Sequence, residues 1–291
     1  MMSLLTQNWL PLKYNMRTVE ATIGMPSLKQ QVICRYHLIR FRRKLDLLDA
    51  GMKLRLLFPI IVTVAALAVM AFGAWQLSRS RTYQVFGEIV PRVEASEKVV
   101  ALTFDDGPSN VGLEFVLPIL RSREVKATFF LVGSALEANP TLGAQIAAEG
   151  NEIGNHTYSH PRMVLKSQSF IAGEIERTDH LIRSVGYSGP IHFRPPYGKK
   201  LLGLPWYLNK TNRKSIIWDV EPEPYPEVAA SSDRILEHVQ TKVGPGSIIL
   251  LHPMAMSAAT TREAVPKIID ALLADGYRFL TVSELLSLQS K

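Results

Sequence analysis

The apolar positions of the chain follow three rules in succession. Leu56 to Leu77 is a run of 22 residues without a charge, long enough at about 1.5 Å of helical rise per residue to cross a hydrocarbon core of roughly 30 Å. It predicts a transmembrane helix over 56–77. Residues 78–97 are polar and mixed, interrupted by Pro91, and are expected to form a tether. After Lys98 short β-rich runs alternate with stretches of helical spacing. Strands are predicted at 99–104, 127–132, 152–155, 191–194, 215–220, 247–251 and 278–282. Between them, apolar stripes such as Ile171, Ile175, Ile182 and Val185, or Ile235, Val239 and Val243, predict core-facing helices. Asn139-Pro140 can open a helix, Gly150, Gly186 and Gly276 can close one, and Pro266 is expected in a first turn.

Strands separated by helices imply parallel pairing through right-handed crossovers. The first strand-to-helix connection carries no glycine-rich phosphate loop, which argues against a nucleotide-binding sheet. The expected architecture is therefore α/β: an irregular (β/α) barrel of about seven strands over residues 98–288, preceded by one N-terminal transmembrane helix.

Charge sharpens this picture. The formal net charge is +7, yet residues 1–55 hold ten Lys/Arg against three acids, leaving 23 basic and 23 acidic residues for the remainder. A neutral main domain releases no counterions on meeting phosphate, so no nucleic-acid partner is expected. The basic residues Arg40, Arg42, Arg43, Lys44, Lys53 and Arg55 precede the apolar run, and only Arg79 and Arg81 follow it closely. The positive-inside rule then puts residues 1–55 in the cytoplasm as a basic segment and everything after Ser78 outside the cytoplasmic membrane, with Trp75 at the outer interface. Cleavage near Ala71-Phe72-Gly73 is the alternative fate of the run, and Met52 is an alternative start. The single cysteine, Cys34, lies before the span, so the exported part has no thiol chemistry.

Chemically competent residues cluster just after the predicted strands, the catalytic edge of a (β/α) barrel: Asp105 and Asp106, His156 and His160, Arg194, Asp219 and Glu221, and His252. Two histidines four apart on a helical turn offer two nitrogens to one metal, and a carboxylate from Asp105 or Asp106 would complete a two-histidine, one-carboxylate set with an open position. Both aspartates serve one site only if the chain bends after the strand, which Gly107-Pro108 provides.

Four motifs then match a family. Thr103-Phe104-Asp105-Asp106-Gly107-Pro108, His156-Thr157-Tyr158-Ser159-His160, Arg194-Pro195-Pro196-Tyr197-Gly198 and Ile248-Ile249-Leu250-Leu251-His252 resemble, in order and spacing, the polysaccharide deacetylases of carbohydrate esterase family four. The resemblance implies a metal-dependent hydrolase that removes N-acetyl groups from an N-acetylated sugar polymer such as peptidoglycan or an exported polysaccharide. It implies that Asp106, His156 and His160 bind a divalent metal, usually zinc, with cobalt or nickel as alternatives. Asp105 is then the general base, His252 the general acid, and Arg194 the residue that holds Asp105. Pro196 and the backbone N–H of Tyr197 are expected at the oxyanion and substrate site.

Family members often carry an Asp-Trp pair whose acid tunes the acid histidine and whose indole walls the acetyl pocket. Here the stretch runs Trp218-Asp219-Val220-Glu221-Pro222-Glu223-Pro224-Tyr225, and Pro224 and Tyr225 fall on the pair. The tuning acid is sought among Asp219, Glu221 and Glu223, the first two being expected, and Trp218 and Tyr225 are the candidate aromatic walls. Rival readings are an O-acetyl sugar esterase, since the same site cleaves esters, and a non-catalytic glycan-binding membrane protein of the same fold.

Overall fold

The computed structural model describes residues 28–290 and opens with a 52-residue helix, α1 (Leu28–Arg79). By contact density the chain divides into residues 1–69 and 70–291. Within α1, Leu57–Arg79 is long and apolar enough to cross a membrane, with a mean hydropathy of 2.4. Its large apolar side chains, from Leu57 and Phe58 to Phe72 and Trp75, are exposed.

The elements that follow are β1 (Ile89–Val90), β2 (Val99–Asp105), α2 (Asn110–Ser122), β3 (Thr128–Leu131), α3 (Gly133–Ala138), α4 (Pro140–Ala148), β4 (Glu152–Asn155) and α5 (Gln168–Ser184). Then come α6 (Gly203–Lys210), β5 (Ser215–Ile216), α7 (Pro226–Ala229), α8 (Ser232–Lys242), β6 (Ser247–Leu251), α9 (Ala259–Ala274), β7 (Arg278–Leu280) and α10 (Val282–Ser287). Serine side chains accept the orphan amides at the starts of three of these helices: Ser109 for α2, Ser167 for α5 and Ser231 for α8.

All the ladders are parallel. β2 is central. One edge pairs with β6 from Val100↔Ser247 to Phe104↔Leu251; the other pairs with β7 along its first half and with β3 from Thr103↔Thr128 to Asp105↔Phe130. β3 continues to β4, and single parallel bridges then carry the wall round through Asn155↔Phe193, Phe193↔Ser215 and Val220↔Ile249 back to β6. The result is a closed but irregular barrel. Residues 191–194, expected as a full strand, contribute only Phe193 to the pairing. Pro190 and Pro195 flank that run, and neither has an N–H to extend a ladder.

Two expectations are corrected. Residues 89–93 of the predicted tether join the barrel: β1 lies parallel to β5, Arg92 bridges Ser247, and Val93 N–H donates to Gly246 O, so this segment fills the gap between β5 and β6. Val90 and Val93 are buried. Pro266 sits inside α9, about two turns from its start at Ala259, instead of in a first turn.

Alternation along the strands sorts the side chains between two cores. Val100, Leu102 and Phe104 of β2, with Ile249 and Leu251 of β6, pack outward against the helices. Val99 and Ala101, with Ile248 and Leu250, Phe130 and Trp218, fill the barrel interior. The interior parity of β2 continues through Thr103 to Asp105, that of β6 to His252, and that of β4 from Glu152 through Gly154 to His156. Three functional candidates are thus aimed at the barrel mouth by the two-residue repeat alone. At Gly154 a side chain would collide with the Phe130 ring, its Cβ falling 2.5 Å from that ring.

Candidate active site

The C-terminal ends of the strands open on a cleft of about 640 Å³ whose lining includes Asp105, Asp106, His156, His160, Tyr197, Trp218, Glu221, Glu223 and His252. Asp105 ends β2 and is 2% exposed. The chain then turns through left-handed conformations at Asp106 (φ 70°) and Gly107 (φ 71°), so the second carboxylate swings to the same side as the first.

Ligand atoms of Asp106, His156 and His160 lie within 4.8 Å of one another. His160 Nε2 is 3.3 Å from Asp106 Oδ1, and His156 Nε2 is 3.9 Å from the same oxygen. The two histidines are not on a helical turn as their spacing suggested. They lie in the loop after β4, with Thr157 at φ 67° and His160 at φ 55°. Asn155 Oδ1 accepts from Thr157 N–H and Thr157 Oγ1 from His160 N–H, so side chains replace the missing helical bonds.

His156 Nδ1 is 2.8 Å from the backbone oxygen of Arg194. A carbonyl only accepts, so Nδ1 carries a proton toward Arg194 and Nε2 is the ring nitrogen that faces the carboxylates. Burial and the neighbouring His156 outweigh the nearby aspartates and hold His160 below the usual imidazole range, which keeps its ring neutral. Two imidazoles and a carboxylate oxygen, open to a cleft, are a donor set that suits a borderline divalent cation such as zinc.

Arg194 is fully buried. Its Nη1 donates to Asp105 Oδ1 at 2.6 Å and to Thr103 Oγ1 at 2.8 Å, and its other nitrogens reach the carbonyls of Ile216 and Ile217. The Phe130 ring lies 4.0 Å beneath the guanidinium. Burial alone would raise the Asp105 pKa, but Arg194, then His156 and His252, prevail and keep it lowered.

On the opposite side His252 Nδ1 meets Glu223 Oε2 at 2.9 Å, while Glu223 Oε1 accepts from His252 N–H and from Thr261 Oγ1. Burial pulls the imidazolium down, but the Glu223 hydrogen bond and charge, with Asp105 and Asp106, raise it to about 9. The carboxylate beside His252 is therefore Glu223, and neither Asp219 nor Glu221. Asp219 accepts from Ser247 Oγ and Ile248 N–H on β6, and Glu221 accepts from Trp218 Nε1 and pairs with Arg81. Glu223 stands one residue before the position of the family's acid, and Pro222 and Pro224 on either side restrict the loop that presents it.

Trp218 lines the cleft, whereas Tyr225 lies against His238 at 5.2 Å and does not. Tyr197 packs at 4.6 Å from His160 in a tight turn with φ 59°, next to buried Pro196. Among the lining residues that sequence reasoning missed are Thr261, bonded to Glu223, and Arg81 from the presumed tether. A lone arginine in a polar segment carries no local signal of such a role.

The model of the polysaccharide deacetylase family matches residues 92–215. The peptidoglycan-N-acetylglucosamine deacetylase of Bacillus cereus is 33% identical over 200 residues, covering 69% of this chain and 93% of that protein. The peptidoglycan-N-acetylmuramic acid deacetylase PdaC of Bacillus subtilis is 34% identical over 194 residues, 66% of this chain but only 40% of PdaC. Among solved structures, the Bc1960 peptidoglycan N-acetylglucosamine deacetylase superposes with a TM-score of 0.63 at 34% identity, covering 67% of this chain and 90% of that one. BA3943, a pseudoenzyme of carbohydrate esterase family four from Bacillus anthracis, superposes at 0.61 with 29% identity, covering 70% and 69%.

Proposed function

The chain belongs to the polysaccharide deacetylase family, carbohydrate esterase family four, and on that premise we propose that it hydrolyses N-acetyl groups of a sugar polymer of the peptidoglycan type, using a divalent metal. One observation carries the reading: Asp106, His156 and His160 converge, with the Asp105–Arg194 pair on one side and the His252–Glu223 pair on the other. The cation, zinc in this reading, with cobalt or nickel as alternatives, would be held by those three residues and would supply Lewis acidity to the amide carbonyl and to water.

The chain's own groups supply the rest. Arg194 holds Asp105 ionised, so its carboxylate is ready to take the proton of the attacking water. The Tyr197 N–H, presented by its left-handed turn, is the donor for the developing oxyanion, a contribution of about 3 kcal/mol for such groups. His252, protonated at neutral pH because Glu223 backs it, delivers a proton to the departing sugar nitrogen. Trp218 walls the acetyl pocket.

Acetate release from N-acetylglucosamine oligomers and from peptidoglycan tests this. Activity is expected to vanish on chelation and return with zinc or cobalt, and Asp105→Asn is expected to lose about 100-fold or more in kcat with metal content unchanged. Full activity in that variant would remove Asp105 from the chemistry. The likeness to a pseudoenzyme makes a binding-only role the alternative, supported if no acetate appears from any glycan or acetyl ester while the glycan still binds. An O-acetyl preference would emerge from the same assay as faster release from acetyl esters.

The apolar helix and the basic residues ahead of it support a single membrane span, with residues 1–55 in the cytoplasm and the catalytic domain outside.

A further inference from the structure

Arg81 lies two residues beyond the apolar stretch that ends at Arg79, yet it lines the catalytic cleft. Its guanidinium sits 4.8 Å over the Trp218 ring and its Nη2 donates to Glu221 Oε2 at 2.6 Å. Glu221 also accepts from Trp218 Nε1. The arginine is thereby fixed in orientation while 45% of its side chain stays open. The Arg162 guanidinium lies 5.3 Å over Tyr197, another lining residue, and Lys199 follows two residues later in the chain. Among the described residues neither Arg162 nor Lys199 has an ion-pair partner. Burial first, then the charges of Arg79, Arg162 and Arg81, depress the Lys199 ammonium. Among the described residues, Glu221 is the one carboxylate paired within this group.

Like charges held together at an open edge repel one another unless an anion joins them. Resting on the deacetylase reading above, we propose that Arg81, Arg162 and Lys199 form a cationic rim that binds an anionic substituent, carboxylate or phosphate, of the acetylated glycan, so that the enzyme prefers an acidic polymer to a neutral one. The guanidinium of Arg81, oriented by Glu221 and Trp218, supplies directional charge-assisted bonds, and Lys199 supplies a point charge.

The test uses the full chain in nanodiscs of neutral lipid and compares kcat/KM on three substrates of equal length. These are an N-acetylglucosamine oligomer, one alternating with N-acetylmuramic acid whose carboxylates are free, and the same acidic oligomer with its carboxylates amidated. A phosphate-bearing N-acetylated oligomer separates the two anions. The free-acid or phosphate oligomer is expected to be preferred through KM, with the preference shrinking as salt rises. Arg81→Gln is expected to lower the acidic-to-neutral ratio about tenfold, and Arg162→Gln or Lys199→Gln to lower it by less. A role confined to packing on Trp218 would lower the melting temperature of Arg81→Gln and leave the ratio alone, which overturns the proposal. So would a preference that disappears in discs of anionic lipid at matched salt, since lipid headgroups would then be the rim's occupant. If no oligomer releases acetate, equilibrium binding of the same oligomers decides the rim separately. Tighter binding of the acidic oligomer, weakened by Arg81→Gln, keeps the rim while the deacetylase reading fails.

Discussion

Arg194 and Asp105 form an ion pair with almost no access to water, 0% and 2% exposed at the side chains. Removing one partner leaves the other charge buried, which costs about 3–5 kcal/mol. Arg194→Met is expected to lose stability on that scale in urea unfolding, well beyond the effect of an exposed arginine. For His252 the sign is opposite to that of Asp105. Its folded pKa is raised to about 9, so the stability it contributes is fully present below the ordinary histidine value and is lost as pH rises through about 9. Activity that needs the imidazolium holds to the same limit. Glu223→Gln removes the partner that sustains the shift, and the alkaline limb of the kcat/KM–pH profile is expected to move to lower pH, toward the usual imidazole range near about 6.5. An unmoved limb would assign it to another group.

At the scale of elements, the barrel depends on β1 in a way that a tether would not. Gly246, at φ 82°, lies so close to this segment that a Cβ would fall 1.7 Å from the Val93 carbonyl oxygen. Gly276 has the same φ of 82° with nothing within 4 Å of its Cβ position. The two positions therefore separate conformational strain from collision. Gly276→Ala is expected to cost about 1 kcal/mol, the penalty of a side chain at positive φ. Gly246→Ala adds the collision with Val93, just beyond β1, and is expected to lower the melting temperature severalfold more. Equal losses would mean that the chain around Val93 is easily displaced. Periodicity overlooked β1 because two residues are too few to establish an alternation, whereas β2, β4 and β6 were legible from runs of four to seven residues.

The whole molecule is polarised in charge, with the basic excess confined to residues 1–55 and a neutral balance beyond. That asymmetry, with the apolar helix, makes orientation testable through the single cysteine. Cys34 is exposed on α1, ahead of the apolar stretch, and Ser188 is exposed on the catalytic domain. In intact cells a membrane-impermeant maleimide is expected to label Ser188→Cys in a Cys34→Ser background and to leave Cys34 of the wild type unlabelled until lysis. Labelling of Cys34 in intact cells would reverse the orientation. An intact mass that starts at Met52 would remove Cys34 from the mature chain and explain a silent wild type after lysis.

By itself the sequence determined whatever local repetition and spacing encode. The apolar run, the parallel strand-helix alternation, and the placing of Asp105, His156 and His252 at interior-facing strand ends all follow from periods of 3.6 and 2 residues. Only the tertiary structure decided which of three nearby acids meets His252, since Glu223 reaches it across 29 residues of chain through a loop with no periodicity of its own. The same holds for Trp218 over Tyr225 as the ring that lines the cleft, for β1 as part of the barrel, and for Arg81 at the cleft. In each case the energy lies in contacts between segments remote in sequence, and a one-residue change in how a loop is threaded exchanges one carboxylate or ring for another without altering any local pattern.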